Sequence, residues 1–446
     1  MTIPASKSSA EMRLLLLAGK LGYQTRSFVE AARRVGAEIV LGTDRCHQLE
    51  DPWADGALAL HFEDPKWAAQ AILESLKERT VSGILALGDR PIETAAFVAE
   101  SLSIPYNSVE SVRNCRSKFR QRELMRAAKV PVPDFFAVDL AEPLDRVLNH
   151  AEYPCVIKPL SLSAGQGVIR ANNEQEFIAA IKRDRALLES PELTVSHEPG
   201  LDRVLVERYI PGGEVAVEAL LTEGKLRILA FFDKPDPLEG PYFEETIYVT
   251  PSRLPVRVQR AVEQTLREAI KALGLTEGPI HAEFRIQEKT REPWILEVAP
   301  RPIGGLCSRA LRFGPELISL EELLIRHALR LPGPDLPRES HAAGVMMIPV
   351  SASGVLEEVD GVEKASKVPG VDSVEITARV HDAIRTWPEG SSYLGFIFSR
   401  AETPAKAEKA LRRAHVLLRF KISQTLPVEN AATKKLPSKP RHAATD

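Results

Sequence analysis

Three observations predict an α/β protein that opens with a parallel sheet. Between residues 13 and 110, short apolar runs alternate with amphipathic segments. A proline break, VPVP, follows at residues 130–133. Beyond it, apolar runs of strand length predominate up to a closing helical segment, SLEELLIRHALR.

In the first segment, RLLLLAG, AEIVLGT and GILALG have the length and composition of buried strands. YQTRSFVEAARRVG, WAAQAILESLKER and IETAAFVAESL carry helical periodicity between and after them. Such a βαβ rhythm implies a parallel sheet covered on both faces. Gly19 and Gly22 in GKLGYQT do not make GxGxxG, so a dinucleotide site is disfavoured. The strand ends near Gly19, Asp89 and Arg90 are candidates to face a substrate, as open α/β sheets present ligands; ordinary turn residues are the alternative. Ser108 is expected to cap one helix running through Met125.

This divides the chain into an N-terminal α/β domain at residues 1–110, then a linker helix with a small lid lobe at 111–202. A strand-rich larger lobe is expected at 203–331. PGPDLPRES, with three prolines, then links to a compact α+β module at 340–424, and the basic tail 425–446 is expected to be disordered.

Composition excludes several classes. At 446 residues with 44% hydrophobic and 27% charged, the chain can support two or three cores. A net charge of −3 gives no electrostatic case for nucleic acid or an anionic membrane. The apolar run LLLLA is far too short to span a bilayer or serve as a signal core, so a cytoplasmic location is expected. Cys46, Cys115, Cys155 and Cys307 show no CxxC spacing, which argues for buried thiols rather than zinc ligands or disulfides. No GxSxG elbow is present.

The chemistry gathers around two acids. Glu283 and Glu297 lie in the strand-like runs IHAEFRI and PWILEVA, fourteen residues apart, so both carboxylates would project from neighbouring strands into a largely dry interior. Removing a carboxylate from water costs several kcal/mol unless a cation compensates. A divalent metal with oxygen ligands is the strongest compensation available, while two exposed acids on a hairpin are the plainer alternative. Arg301, four residues past Glu297, tips the balance toward a polyphosphate whose terminal group is transferred.

Upstream, Lys158 ends the strand-like run YPCVIKP and the small-residue loop LSLSAGQGV follows, a combination that can bring an ammonium and backbone N–H groups onto phosphates. It is not a P-loop, because the glycines follow the lysine. RVLVERYIPGGEVAVEALL reads as two strands joined in a hairpin by IPGG, with Glu207 before the turn and Glu214 after it. A strand-end backbone and one carboxylate can meet an adenine, and a second carboxylate suits a ribose diol.

The ordered series Lys118 in RSKFRQRELM, Lys158 in VIKP, SLSAGQG, VERYIPGGE, HAEF and EVAPR resembles the ATP-grasp superfamily over roughly residues 13 to 330. Within it, the arrangement is most similar to the L-amino-acid ligases, the dipeptide-forming branch related to bacilysin synthetase. The resemblance implies an α/β ATP-grasp fold with an N-terminal parallel-sheet domain, a small lid, a strand-rich catalytic domain and a C-terminal α+β module. It implies that Lys118 and Lys158 contact nucleotide phosphates under a flap formed by Ser163, Ala164, Gly165, Gln166 and Gly167. Glu207, Arg208, Tyr209 and Ile210 would line the adenine slot and Glu214 would hold ribose. Glu283 and Glu297 would carry Mg2+, with Mn2+ as a substitute, and Arg301 would stabilise the transferred phosphate. Ala299 stands where many superfamily members have a metal-binding asparagine, which marks the dipeptide branch or a weakened second metal position.

Around this core, His281 either approaches the metal site or is a satisfied core histidine. Arg309 and Arg312 are within reach of a substrate carboxylate or are solvated helix charges. Gly305 would permit a large first amino acid, where a bulkier residue would narrow the pocket. The expected activity is ATP-dependent, ADP-forming joining of a small-molecule carboxylate and amine, most plausibly amino acids, through an acyl phosphate. A bicarbonate-using carboxylase and a non-catalytic ATP-binding module are the alternatives, and a homodimer is left open.

Overall fold

The computed structural model describes residues 12–19, 23–44, 57–77, 79–194 and 200–423. The leader, Gly22, Cys46 and the tail 425–446 lie outside the described residues.

The strands Arg13–Ala18, Glu38–Thr43, Ala57–Ala59 and Gly83–Leu87 form one sheet in the order 57–59, 38–43, 13–18, 83–87, with every pairing parallel. Leu14 to Leu17 are fully buried because the strand is covered twice. Leu15 and Leu17 pack with Ile72, Ala95 and Val98 of the helices Pro65–Ser75 and Ile92–Leu102. Leu14 and Leu16 pack on the opposite face with Phe28, Leu323 and Leu324. That second contact welds the N-terminal sheet to the helix Leu320–Ala328, whose N-cap Ser319 accepts from the Glu322 amide.

Two helices occupy the segment in which one is expected, Val109–Arg116 and Lys118–Ala127. The break is Ser117, extended at φ −96°, ψ 113°, whose side chain caps the second helix by accepting from the Arg120 amide. Gln121 Nε2 donates to the Cys115 carbonyl left over by the break.

The lid is a four-stranded antiparallel sheet, ordered Phe135–Asp139, Arg203–Arg208, Cys155–Pro159, Ile169–Ala171, backed by the helix Glu174–Leu188. This corrects two expectations. Arg203–Arg208 belongs to the lid, so the lobe boundary falls after residue 208 rather than at 203. IPGG is therefore an inter-lobe connection and not a hairpin turn, since the strand Gly212–Thr222 pairs only with strands of the larger sheet. Gly212 has φ +132°, and a Cβ there would lie 2.0 Å from the Ile286 carbonyl oxygen, so only glycine lets the chain cross at this point.

The larger lobe holds an eight-stranded sheet. Its order is Pro293–Ala299, Gly278–Gln287, Gly212–Thr222, Lys225–Lys234, Ile247–Thr250, Ala342–Ile348, Gly395–Ala401, Val371–Ile376. The last three strands come from the C-terminal module, which thus extends the large sheet. Its remaining strands, Gly354–Asp360, Ala383–Ile384 and Arg419–Ser423, make a small sheet of their own. One face of the large sheet is sealed by the helix Val256–Leu273. Val258, Val262, Leu266, Ala269, Ile270 and Leu273 of that helix are buried at helical spacing. Cys115, Cys155 and Cys307 are buried and free. Among the described residues no helix is long and apolar enough to cross a membrane.

Candidate active site

Strand alternation builds the floor of the site. Val215, Val217 and Ala219 of one strand, with Ile280, Ala282 and Phe284 of its neighbour, point into the sealed face. Period-2 geometry therefore turns Glu214 and Glu218, and His281, Glu283 and Arg285, to the other face. Register brings them together: His281 opposite Glu218, Arg285 opposite Glu214, and Lys234 opposite Glu214 from the far side. Glu283 and Glu297 are direct cross-strand partners. The next pairing jumps to Phe284 with Ile295, leaving Leu296 as a bulge beside the acids. Leu296 uses its carbonyl to accept from Arg122.

Lys234 is the unexpected centre of this floor. Its side chain is 3% exposed, and its Nζ lies 2.6 Å from Glu214 and 3.2 Å from Glu283, with Glu245 also paired to it. Oxygens of Glu214, Glu245 and Glu283 all lie within 4.8 Å of one another. One ammonium among three carboxylates leaves surplus negative charge, and the pKa values distribute it. Burial and the two neighbouring acids push Glu245 up to about 7 against the pull of Lys234. Burial opposes ionisation of Glu283 too, but Lys234 and His281 hold it well below the usual carboxylate range. Burial would depress Lys234, and its three carboxylates keep it charged. An all-oxygen cluster with surplus charge, facing a cleft, fits Mg2+ or Mn2+.

His281 is a buried histidine held between two acids. Its Nδ1 is 2.5 Å from Glu218 Oε1 and its Nε2 3.3 Å from Glu283 Oε1. Burial opposes the charged ring, but the two acids raise it to about 9. Glu218 also accepts the Ile303 amide through its other oxygen, at 3.2 Å, so this buried pair ties the strand bearing Glu283 to the PIGG turn.

The lid supplies the opposite wall. Lys158 pairs with Glu207, which also pairs with Arg122, a residue with no exposed side-chain surface. These two cations hold Glu207 below its ordinary pKa despite burial. Its carboxylate is thus committed, and what the strand end offers a base is backbone. Glu214 is likewise committed to Lys234 and, at 3.6 Å, to Arg285. Lys118 Nζ donates to the Leu162 carbonyl at 2.6 Å, at the root of the flap.

Arg301 reaches across to the N-terminal domain, where Nε donates to Asp89 at 2.7 Å and an Nη to its other oxygen at 3.2 Å. That pair holds Asp89 below its ordinary value against burial. Arg90 turns to Asp44 and Glu63.

Between floor and lid lies a cavity of about 350 Å³. Of the residues predicted for the nucleotide and metal sites, all but Gln166 and Gly167 line it, as do Asp89, His281, Arg301 and Gly305, whereas Arg309, Arg312, Gly19 and Arg90 do not. Gln166 lines a second, wider cleft of about 1080 Å³ that shares Asp89, Lys118 and Glu297 with the first and runs toward the N-terminal domain. Arg309 is a correction. Its guanidinium is bound to Glu375 and lies over the Phe398 ring at 4.5 Å, so it joins the larger lobe to the C-terminal module and does not face substrate. Arg312 donates to the Leu311 carbonyl. Gly305 lines the cavity as expected, but its φ is +61° and a Cβ would meet Phe396 at 3.1 Å.

Sequence reasoning missed Lys234, Glu245, Glu218 and Tyr393, all at or beside the cavity. Glu218 was recoverable, because it falls four residues after Glu214 on an alternating strand. Glu245, in PYFEET, and Tyr393 reach the site from irregular segments without a periodic signal.

Comparison with known proteins agrees with this geometry. Residues 151–310 match the ATP-grasp domain family, and residues 346–423 match L-amino acid ligase C-terminal domain 2. Residues 151–310 thus carry an ATP-grasp domain, and the C-terminal module is like that of L-amino acid ligases. The chain's likeness is to L-amino acid ligases: the crystal structure of the Bacillus licheniformis L-amino acid ligase superposes with a TM-score of 0.79 at 25% identity, covering 93% of this chain and all of that one. The Sinorhizobium fredii protein y4rH is 25% identical over 409 residues, 89% of this chain and 80% of its own. Alanine–anticapsin ligase of Bacillus subtilis is 25% identical over 226 residues, 48% of this chain and 47% of that enzyme, so this match spans about half of each.

Proposed function

We propose that the protein is an ADP-forming ligase that joins two amino acids through an acyl phosphate. The observation that carries the reading is the cavity in which the carboxylate cluster of the sheet faces Lys158 and the small-residue flap of the lid. The similarity to an L-amino acid ligase over 93% of the chain supports the choice of substrate class.

In this reading ATP lies with its base against Glu207–Ile210 and its phosphates between the flap and the floor. Lys118, Lys158 and Lys234 neutralise phosphate charge. Glu283 and Glu297, with Glu214 and Glu245 beside them, would hold Mg2+ or Mn2+, which supplies charge neutralisation at the phosphates when bound. A substrate carboxylate oxygen attacks the γ-phosphorus, and the bond from that phosphorus to the bridging oxygen breaks to release ADP. The amine of a second amino acid then attacks the acyl carbon, loses a proton and expels phosphate. Arg301, anchored by Asp89, balances the charge that builds on the acyl oxygens. Positioning and electrostatics account for the catalysis, and no enzyme-bound covalent intermediate is needed.

The test is a magnesium-dependent phosphate-release screen over amino-acid pairs, with mass analysis of products. A peptide product formed one-for-one with ADP is expected. ADP release that requires bicarbonate and not amino acids would overturn the ligase reading in favour of a carboxylase, and ATP binding without ADP release would make the protein a binding module.

A further inference from the structure

The flap does not stand alone. Ala164, Gly165 and Gly167 all have positive φ, at 56°, 69° and 72°. A non-glycine residue in that region persists only where its surroundings impose it. Those surroundings are a loop of the C-terminal module, residues 385–393. Trp387 Nε1 donates to the Ala164 carbonyl, the Gly167 amide donates to the Pro388 carbonyl, and Gln166 Nε2 donates to the Glu389 carbonyl, each at 2.9 Å. Three hydrogen bonds thus join three of the four flap residues 164–167 to three consecutive loop residues.

The loop is itself held at both ends. Glu389 is gripped by Arg183 of the lid helix, which also donates to the Tyr242 hydroxyl. The Gly390 amide donates to the Thr386 carbonyl, and a Cβ at Gly390 would lie 2.2 Å from the Arg385 carbonyl oxygen, so the turn is tight enough to require glycine. Trp387 is 4% exposed and packs on Tyr393, with ring centroids 5.0 Å apart at 33°. Tyr393 lines the cavity and packs in turn on Phe396, the ring that meets Gly305.

We propose that residues 385–393 of the C-terminal module are a latch that positions the nucleotide flap, with Trp387 as the positioning residue that keeps water from the activated acyl group. The inference rests on the ligase reading for its chemical consequence but not for the latch itself. Without the Trp387 donor, the flap opens more often while the intermediate is present. Water then replaces the amine as attacking nucleophile, adds to the acyl carbon and expels phosphate, returning the original carboxylate and consuming ATP without product.

Trp387→Phe keeps an aromatic ring on Tyr393 while removing the donor and part of the buried indole, and Gln166→Ala removes a second contact from the flap side without touching the C-terminal core. Amide hydrogen exchange of residues 160–168 in the nucleotide-free protein reads the latch directly. Each variant should speed exchange there by about threefold to tenfold, the weight of one hydrogen bond, with little change elsewhere. The ratio of ADP to peptide should rise above that of the wild type, and KM for ATP should rise more than kcat falls. Unchanged flap exchange in both variants overturns the latch whatever the activity does. Faster exchange with an unchanged ADP-to-peptide ratio overturns the water-excluding role. Faster exchange in a protein that releases no ADP with any amino-acid pair upholds the latch and removes the ligase reading.

Discussion

Replacing Lys234 with methionine tests the arrangement of the floor more sharply than deleting any of its acids. Methionine fills a similar volume, so the change is chiefly electrostatic. Lys234 is 3% exposed with three carboxylates on its ammonium, so its loss leaves Glu214, Glu245 and Glu283 mutually repelling, with only Arg285 at 3.6 Å from Glu214 and His281 at 3.3 Å from Glu283 to offset them. Breaking a buried pair costs about 3–5 kcal/mol. At about 2–4 °C per kcal/mol for a unit of 150–250 residues, the melting temperature should fall by about 6–20 °C in EDTA. Divalent metal should then restore what the ammonium supplied. Mg2+ or Mn2+ at a hundred times its dissociation constant returns about 2.7 kcal/mol, so the variant should gain more from metal alone than the wild type does. Thermal melts of both proteins with EDTA, Mg2+ and Mn2+ decide the matter, and ADP release should be lost in the variant throughout. A drop below about 2 °C, or equal metal stabilisation of the two proteins, would refute the claim that these carboxylates form one cation-binding cluster.

Three other outcomes follow from particular contacts. Glu297 makes no ion pair among the described residues, so Glu297→Ala should leave the melting temperature within a few degrees of wild type while ADP release falls on the order of 10²-fold; retained release with amino acids present would contradict its metal role. Asp184, buried with neither oxygen partnered, is raised by burial and then by Glu389 from 3.8 to about 8. Between those values the native protein keeps a proton that the unfolded chain has released, so stability falls as pH rises through the window and levels off above about 8. Asp184→Asn should therefore raise the melting temperature increasingly from pH 5 to pH 8.5, and a pH-independent difference would show that Asp184 is ionised in the fold. Gly305→Trp should both lower stability, through its positive φ and the clash with Phe396, and shift preference toward a small first amino acid; undiminished use of large side chains in a product assay would count against Gly305 as a pocket wall.

The fold was legible wherever a local pattern and the tertiary outcome agreed. The helix Ile92–Leu102 and the strands bearing Glu283 and Glu297 follow directly from their apolar runs, whose lengths match the elements they form. Legibility failed at partner choice. VERYIPGGEVAVE has the composition of a hairpin, and local propensity cannot say that its two strands enter different sheets; the deciding contact is Gly212 beneath Ile286, which is seventy-four residues away. The helix expected to run to Met125 breaks at a serine whose capping role is as compatible with a helix interior in sequence as with a terminus in space. The C-terminal strands were visible as strands, but nothing local tells an edge of the catalytic sheet from a sheet of its own.

The same distinction explains the site. Most residues that motif order singled out share one cavity, yet it assigned each side chain a ligand when several already have protein partners. Glu207 and Glu214 were expected to meet adenine and ribose, and in the fold each is bound by a lysine and an arginine. A buried carboxylate must be neutralised before any ligand arrives, or the nucleotide-free protein would bear the full desolvation cost. An anionic nucleotide with its metal therefore meets paired charges and must exchange partners with them. Lys234 is where this matters most: its ammonium already lies among the carboxylates that suit a metal, so nucleotide phosphates and a divalent cation arriving together would supply what each side of that salt-bridge cluster loses. Metal without nucleotide competes with the lysine, whereas metal with nucleotide does not, and on this geometry the two should bind the wild-type protein cooperatively.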